Sequence, residues 1–303
     1  MNLSAVSLRD LEYVVAIAEH GSFVKAAEQC HVAQPSLSVQ VSKLEARLGI
    51  VIFERTTRRL IVTPEGRVLI AQMRKVLLEA RNLLAMAKQS TKPFGDGLRL
   101  SAIATLGPYY FPRVLGGLRA RYAELSLILG EGRTDELTTG LLRGDLDAVL
   151  MAEPVAEPGL VAAPLFREPF VLACPIGHTA ASGVTVGWKD LEPRERLVLE
   201  EGHCLRDQAL AACSGVDPSN RHATSLETLK YMVAAGEGCT LMPALAANQD
   251  PGLAYRPLPQ AEYGRTIVLA WRASDPRAEA FELLAGHLRE RNPEGVEPLA
   301  AGA

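Results

Sequence analysis

The stretch EGHCLRDQALAAC, residues 201–213, sets Cys204 and Cys213 nine positions apart. Two thiols at that spacing invite three chemistries: metal ligation, a resting disulfide, or redox reaction of one thiol with help from the other. A metal site would need Cys204 and Cys213 to converge with His203 or His222, and the spacing lacks the close Cys or His pairs typical of zinc sites. A resting disulfide conflicts with a helix between the thiols. In a continuous helix, nine residues at 1.5 Å and 100° each put the side chains about 13 Å apart on opposite faces. A disulfide needs Cα atoms roughly 4.4–6.8 Å apart. Either the thiols never meet, or something large moves when they do.

The surroundings of Cys204 favour reactivity. It follows Gly202-His203 at the expected start of a helix, where free amides favour an anion. Arg206 can add positive charge, and Asp207 can hold Arg206 or orient a donor. The other cysteines read as packing residues: Cys30 ends an amphipathic helix, while Cys174 and Cys239 sit in apolar, strand-like runs. Five cysteines, an odd number, fit a thiol protein better than a disulfide-stapled one. No run approaches 18 apolar residues, and the opening MNLSAVSLRDLEYVVAIAEHG has no basic start and carries Asp10, Glu12 and Glu19. The expectation is a cytoplasmic protein with no membrane segment.

A length of 303 residues implies more than one module. The net charge of −3 argues against a nucleic-acid partner only on average, because Lys43 to Arg67 holds six basic and three acidic residues, a local +3. That segment lies in a helix-turn-helix pattern. Leu8, Leu11, Val14, Val15 and Ala18 repeat at helical spacing, and Ser22 can cap a second helix whose Phe23, Ala26 and Ala27 face inward. The next helix starts at Pro35 and stops at Gly49, with Leu37, Val41 and Leu44 as its buried stripe. Gln34, Ser36, Ser38 and Gln40 then lie at its polar front, where they can reach base edges or phosphates. IVIFERTTRRLIVTPEG reads as a hairpin wing, with Arg55, Arg58 and Arg59 suited to phosphates or a minor groove.

From Arg67 to Gln89, Leu69, Met73, Val76, Ala80, Leu83 and Ala87 follow a 4-3 repeat, the seam of a coiled coil, which predicts dimerisation through this helix. STKPFGDG is a hinge. Beyond it, LRLSAIA, LSLILGEG, LDAVLMA, PFVLACP, RLVLE, GCTLMP and TIVLAWR alternate with helical segments, as in an α/β sheet domain. A last helix is expected near 276–290, and NPEGVEPLAAGA reads as a loose tail. No GxxxxGK[ST] or HExxH is present, and no cofactor is expected.

AEHGSFVKAAEQCHVAQPSLSVQVSKLEARLGIVIFERTTRRLIVTPEG resembles the N-terminal signature of LysR-type transcriptional regulators. The rest, to about residue 290, is similar to the hydrogen-peroxide sensors of that family, through IATLGPYYFP, EGRTDEL, GHCLRDQA and ATSLETLKYMVAAGEGCTLMPALA. The resemblance implies a winged helix-turn-helix over 1–66, with Pro35 among its DNA-contacting positions, and a linker helix over 67–90. It further implies a two-lobed α/β, periplasmic-binding-protein-like effector domain. Residues 97–168 and 266–290 form its first lobe and 169–265 its second, carrying the redox cysteines, before a flexible tail over 291–303. It also implies that Cys204 is oxidised by peroxide and resolved by Cys213, with Thr105, Thr134 and His203 polarising the O–O bond.

The implied partners are promoter DNA, hydrogen peroxide, one or three further copies of the chain, RNA polymerase, and a glutaredoxin- or thioredoxin-like reductant. The alternatives are a LysR-type regulator answering to a small metabolite between the lobes, and a thiol peroxidase enzyme. The second leaves the helix-turn-helix unexplained.

The polar helix front and the basic wing make separable predictions. Arg58→Ala should weaken binding to all DNA sequences, whereas Gln34→Ala should also lower discrimination between specific and random sites. Binding titrations at several salt concentrations distinguish the two; equal losses on both DNAs for Gln34→Ala would remove it from the base-reading set.

Overall fold

The computed structural model describes residues 6–55, 60–88, 94, 97–182, 187–213, 221–248, 250–258 and 263–299, with only the backbone described at 55, 85, 87, 88 and 182. The chain divides into two units, 1–88 and 89–303. Among the described residues, no helix is long and apolar enough to cross a membrane.

In the first unit, α1 (Leu8–His20), α2 (Phe23–Gln29) and α3 (Gln34–Leu48) precede a short antiparallel hairpin, β1 (Phe53–Arg55) and β2 (Leu60–Val62). A long helix, α4 (Pro64–Lys88), follows. The local sequence sets each boundary. Ser7 and Asp10 form a capping box at the start of α1, and Gly21 takes the left-handed conformation that ends it. Ser22 caps α2, and Gly49, again left-handed, closes α3. Glu45 Oε1 accepts from the backbone N–H groups of Ile52 and Phe53, at 2.7 and 3.1 Å, fixing the hairpin to α3. Thr63 Oγ1 accepts from the Gly66 N–H at 2.9 Å, and a Cβ at Gly66 would come within 2.5 Å of the Ile52 carbonyl oxygen. Only glycine fits that turn.

The core of this unit joins Leu11, Val14 and Ile17 of α1 to Leu37, Val41 and Leu44 of α3 and to Ile70, Met73 and Leu77 of α4. Two expected faces are corrected by it. On α1 the inward stripe includes Tyr13 and Ile17, while Leu8 is exposed, because α4 packs against the former side. On α4, Met73 is inside the core rather than on a free seam, whereas Val76 and Leu83 are 41% and 68% exposed. Ala87 of the expected seam lies outside the described side chains.

The second unit is built on an eight-stranded mixed sheet. It runs β3 (Leu98–Ile103), α5 (Gly107–Arg121), β4 (Leu127–Gly132), α6 (Thr134–Arg143) and β5 (Ala148–Ala152). β3 pairs in parallel with both β4 and β5. Then comes β6 (Leu160–Pro175), a 16-residue strand. After it lie α7 (Thr179–Ser182), β7 (Val198–Leu199), α8 (Cys204–Ala211), β8 (His222–Ala223), α9 (Leu226–Ala234), β9 (Thr240–Pro243) and β10 (Leu253–Pro257). The chain closes with β11 (Gly264–Arg272), α10 (Ala278–Arg289) and β12 (Glu297–Pro298).

β6 organises this unit. Its first part, 160–169, pairs with β11; its second part pairs with β9 and β10. Two hydrophobic cores follow, one around β3, β5, β11 and α10, the other around the end of β6, α8, α9 and β9. The sequence reading recognised only PFVLACP, the end of this strand. Pro164 and Pro169 hid the rest, since proline usually marks a strand's edge or break. Here the β11 register shifts between Ile267 and Val268, opposite Phe166 and Pro164, and the irregularity accommodates the missing donor.

The loose-tail reading of 291–303 is corrected for its described part. β12 pairs with Arg167 and Phe166 of β6, Val296 packs on the first core, and Arg113 donates to the Glu294 carbonyl at 3.2 Å. Few apolar residues are needed when the backbone itself completes a sheet edge; residues 300–303 lie outside the described residues.

Where the two cores meet, Arg265 and Glu168 form an ion pair at 2.8 Å with both side chains fully buried. Glu168 Oε1 also accepts from the Leu245 N–H at 3.0 Å, and the Arg265 guanidinium donates to Thr105 Oγ1 and to the Thr105 carbonyl, at 2.7 and 3.0 Å. Arg265→Ala would leave a buried, unpaired carboxylate, a change that costs about 3–5 kcal/mol. Chemical denaturation of the full chain should show the 89–303 transition at a markedly lower denaturant concentration; an unchanged midpoint would mean that water reaches Glu168.

Candidate functional site

The thiol segment begins at a conformational switch. Gly202 has φ +92°, and a Cβ there would meet Arg133 Cδ at 3.1 Å, so both backbone and space favour glycine. His203 then takes an extended N-cap conformation, and Cys204 is the first residue of α8. The expected helix start at Cys204 is therefore observed. The side chain of Cys204 is half-buried, packs against the first core, and opens on a cleft of about 620 Å³. Thr134, Met151, Val155, Gly202 and Asp207 also line this cleft.

Thr134 is the first residue of α6. The preceding Arg133 donates its N–H to Glu136 Oε2 at 3.2 Å and pairs its guanidinium with Glu200, just before the Gly202-His203-Cys204 run. Sequence reading missed Arg133 and Glu200. They are 67 positions apart, and no local pattern links them.

His203 is buried and its ring hydrogen-bonds the Thr224 backbone. Its Nε2 has no partner among the described residues. Burial, followed by the nearby Arg133 charge, pushes the imidazole below its ordinary pKa. The ring is thus neutral near pH 7, with one nitrogen available to a small polar solute.

Arg206 and Asp207 do not share one environment. Arg206 is buried and donates through Nη1 to the Leu199 carbonyl at 2.9 Å, with His222 Nδ1 at 3.4 Å. Its charge thus anchors α8 to β7 and β8. Asp207 is exposed and faces the cleft. Thr105 has partners of its own. It is buried in the Arg265–Glu168 network and is not part of the cleft lining that joins Thr134 to Cys204.

Cys213 is buried in the second core, and its thiol donates to the Leu210 carbonyl at 3.4 Å. The two thiols of the segment therefore contact different cores, with α8 between them. A helix continued from Cys204 to Cys213 would set their Cα atoms about 13 Å apart; α8 covers Cys204–Ala211 of that span, and all described cysteines are free thiols. Cys204, Cys213, His203 and His222 do not gather into a three-donor metal group; among the described residues that distinction falls to Cys174, His178 and Cys239. Cys30 is half-buried, and burial raises its thiol pKa.

On α3, Leu37, Val41 and Leu44 are buried, while Gln34, Pro35, Ser36 and Gln40 are exposed and Ser38 is half-buried. Pro35 lies in the first turn, and no side chain caps that end of the helix. A helix start of this kind, with no capping side chain from Ala33, is a common place for phosphate contact. Val39, 50% exposed, lies between these polar residues. The Arg55 side chain, Arg58 and Arg59 lie outside the described residues.

Comparison with known proteins agrees with both units. Residues 8–67 match the model of bacterial regulatory helix-turn-helix proteins of the lysR family, and residues 94–293 match the LysR substrate binding domain. A curated relative from Dickeya chrysanthemi, "Hydrogen peroxide-inducible genes activator", is 41% identical over 98% of this chain and 99% of its own length. A full-length OxyR variant from Pseudomonas aeruginosa has 37% identity and a TM-score of 0.76, covering 94% of this chain and 98% of that one. A solved oxidised form of OxyR has 39% identity and a TM-score of 0.60, covering 66% of this chain and 97% of that one. With a helix-turn-helix unit, a matching effector domain and near full-length relatives, the chain belongs to the LysR family of bacterial transcriptional regulators.

Proposed function

We propose that this protein is a DNA-binding transcriptional regulator of the oxidative stress response that senses hydrogen peroxide through a reversible Cys204–Cys213 disulfide. The observation that carries the proposal is the split placement of the thiols: Cys204 at a helix start on an open cleft, Cys213 inside the other core. The names of the relatives, a hydrogen peroxide-inducible genes activator and OxyR, support the same reading.

The Cys204 thiolate attacks one peroxide oxygen, the O–O bond breaks, and the departing hydroxide takes up a proton. Cys204 becomes a sulfenic acid. The unpartnered His203 Nε2 and the Thr134 hydroxyl are the groups assigned to hold the peroxide, and Asp207 borders its approach. Thr105, with Oγ1 already accepting from Arg265, keeps its hydroxyl proton to donate. Arg206 is a positioning residue that fixes α8.

Cys213 then attacks the sulfenic sulfur, forming the S–S bond and releasing water. The dithiol has lost two electrons and peroxide has become two waters. Since a helix over this span holds the two Cα atoms about 13 Å apart and a disulfide needs them at about 4.4–6.8 Å, α8 must unwind or fold back. A dithiol reductant of the glutaredoxin or thioredoxin class resets the pair in the cytoplasm. The product is a conformational signal to promoter DNA and RNA polymerase, not a released metabolite, so the protein is a regulator and not an enzyme. The cleft volume also lies in the range of small-metabolite pockets, and a metabolite-sensing regulator remains the second reading on that ground.

The test is peroxide treatment of wild type and two variants, read by peptide mass spectrometry and promoter footprinting. Cys204→Ser should abolish the footprint change. Cys213→Ser should still react but accumulate sulfenic or higher acids without the full change. A dominant bond from Cys204 to Cys30, Cys174 or Cys239 would overturn the pairing, and a normal promoter response in Cys204→Ser would overturn the sensor.

We assign dimerisation to the exposed apolar face of α4 that includes Val76 and Leu83, with a tetramer as the higher assembly. Val76→Asp puts a charge where burial without a partner is expensive, and sedimentation should report lower-order species. An unchanged mass would place the dimer contact elsewhere.

A further inference from the structure

The second core of the effector unit contains a thiol pair that the peroxide reading does not use. Cys174 is the next-to-last residue of β6, and Cys239 immediately precedes β9. The β6–β9 register, Leu172 opposite Leu241 and Ala173 opposite Thr240, makes them cross-strand neighbours. Both are fully buried, and their Sγ atoms lie within 4.8 Å of each other. His178 follows Cys174 by four positions, in the turn after β6, where its N–H donates to the Pro175 carbonyl at 2.9 Å. That turn brings His178 Nδ1 to 3.7 Å from Cys239 Sγ, and the donor atoms of all three residues lie within 4.8 Å of one another.

We propose that Cys174, Cys239 and His178 form a binding site for a soft d10 cation, Zn2+ or Cu+. The geometry fits. With metal–sulfur bonds of about 2.3 Å and metal–nitrogen bonds of about 2.0–2.1 Å, tetrahedral to trigonal angles require S···N separations of about 3.5–3.8 Å. The observed 3.7 Å lies within that span. Two thiols and an imidazole are also the donors such ions select over oxygen-seeking cations.

The histidine is set in the tautomer the site needs. The Ala180 N–H donates to Nδ1 at 3.1 Å, so Nδ1 carries a lone pair and the proton resides on Nε2. Nε2 faces Glu195 Oε1 at 3.5 Å, the carboxylate support common behind metal-bound histidines. Metal binding would exchange the Ala180 contact for a coordinate bond.

Glu195 also fixes the opposite wall. Its carbonyl accepts from the Cys239 N–H at 2.7 Å, and a Cβ on neighbouring Gly238 would come within 2.4 Å of that oxygen. Metallation releases both thiol protons to solvent. With Zn2+ the two thiolates leave a neutral unit, a low-penalty charge state for a buried position. With Cu+ the net −1 is offset by Arg256, whose guanidinium donates to the Ala180 carbonyl.

This inference does not rest on peroxide sensing, and its test keeps the two apart. Full-length protein is reduced, freed of metal under anaerobic conditions, and titrated with Zn2+ or Cu+ against a chromophoric chelator; Co2+ serves as a spectroscopic probe. One equivalent per chain of at least one of Zn2+ and Cu+ is expected to bind, and Co2+ should give thiolate charge-transfer absorption. Whichever ion competes successfully identifies the resident metal. Cys174→Ser and Cys239→Ser should abolish binding, whereas the Cys204→Ser/Cys213→Ser double variant should bind as wild type.

Because the two cysteines are buried, His178→Gln, at the partly exposed edge, provides a variant expected to fold as wild type by circular dichroism. It should weaken affinity at least tenfold. The proposal is overturned if neither ion binds, if folded His178→Gln binds as tightly as wild type, or if the Cys204/Cys213 variant is the one that loses the metal.

Discussion

A helix of eight residues keeps two thiols apart, and the rest of the effector unit is arranged around that separation. α8 begins at Cys204 on the edge of one core and delivers the chain to Cys213 in the other. Its end is held by packing as well as by backbone hydrogen bonds. The Trp188 indole N–H donates to the Ala209 carbonyl at 2.9 Å, and Arg206 ties the first turn to β7. The reduced state is therefore a folded and anchored conformation. Oxidation has a structural consequence because a covalent S–S bond is incompatible with that helix.

The framework around α8 is unequal in strength. β6 runs through both cores, and the Arg265–Glu168 pair at their junction is fully buried with further hydrogen bonds on both partners. Such a network is strongly disrupted by loss of one member. Arg133 and Glu200, whose ion pair lies beside Gly202, are more than a third exposed, and pairs of that kind contribute about 0–1 kcal/mol. The rigid connection thus lies along the strand, while the contact beside Cys204 is weak enough to be exchanged. A local thiol reaction can rearrange α8 without unfolding the sheet.

Much of this was legible in the sequence wherever local periodicity decides structure. Leu37, Val41 and Leu44 sit at helical spacing and are buried as that spacing demands; Ser22, Pro35 and Gly49 mark real boundaries. Position 204 at a helix start was readable from the Gly202-His203 context. What the sequence concealed is non-local. The 4-3 repeat of α4 does not say whether a stripe meets its own unit or another chain, and Met73 proved internal while Val76 is exposed. Thr105 and Thr134 occur in equally plain loop contexts, yet one belongs to a buried ion-pair network and the other to the cleft. Cys174 and Cys239 each read as a packing residue, and only the β6–β9 register brings them together beside His178. In β6, two prolines masked a strand that tertiary pairing restores.

The central claim is that α8 must open for the thiols to join. Hydrogen exchange of the backbone amides over 205–213, compared between reduced and peroxide-treated full-length protein, tests it directly. Protection of these amides, with the β3, β5 and β11 amides as the internal reference, should be clear in the reduced protein and largely lost after oxidation, leaving the sheet unchanged. Undiminished protection of 205–213 in protein carrying the Cys204–Cys213 bond would contradict the account.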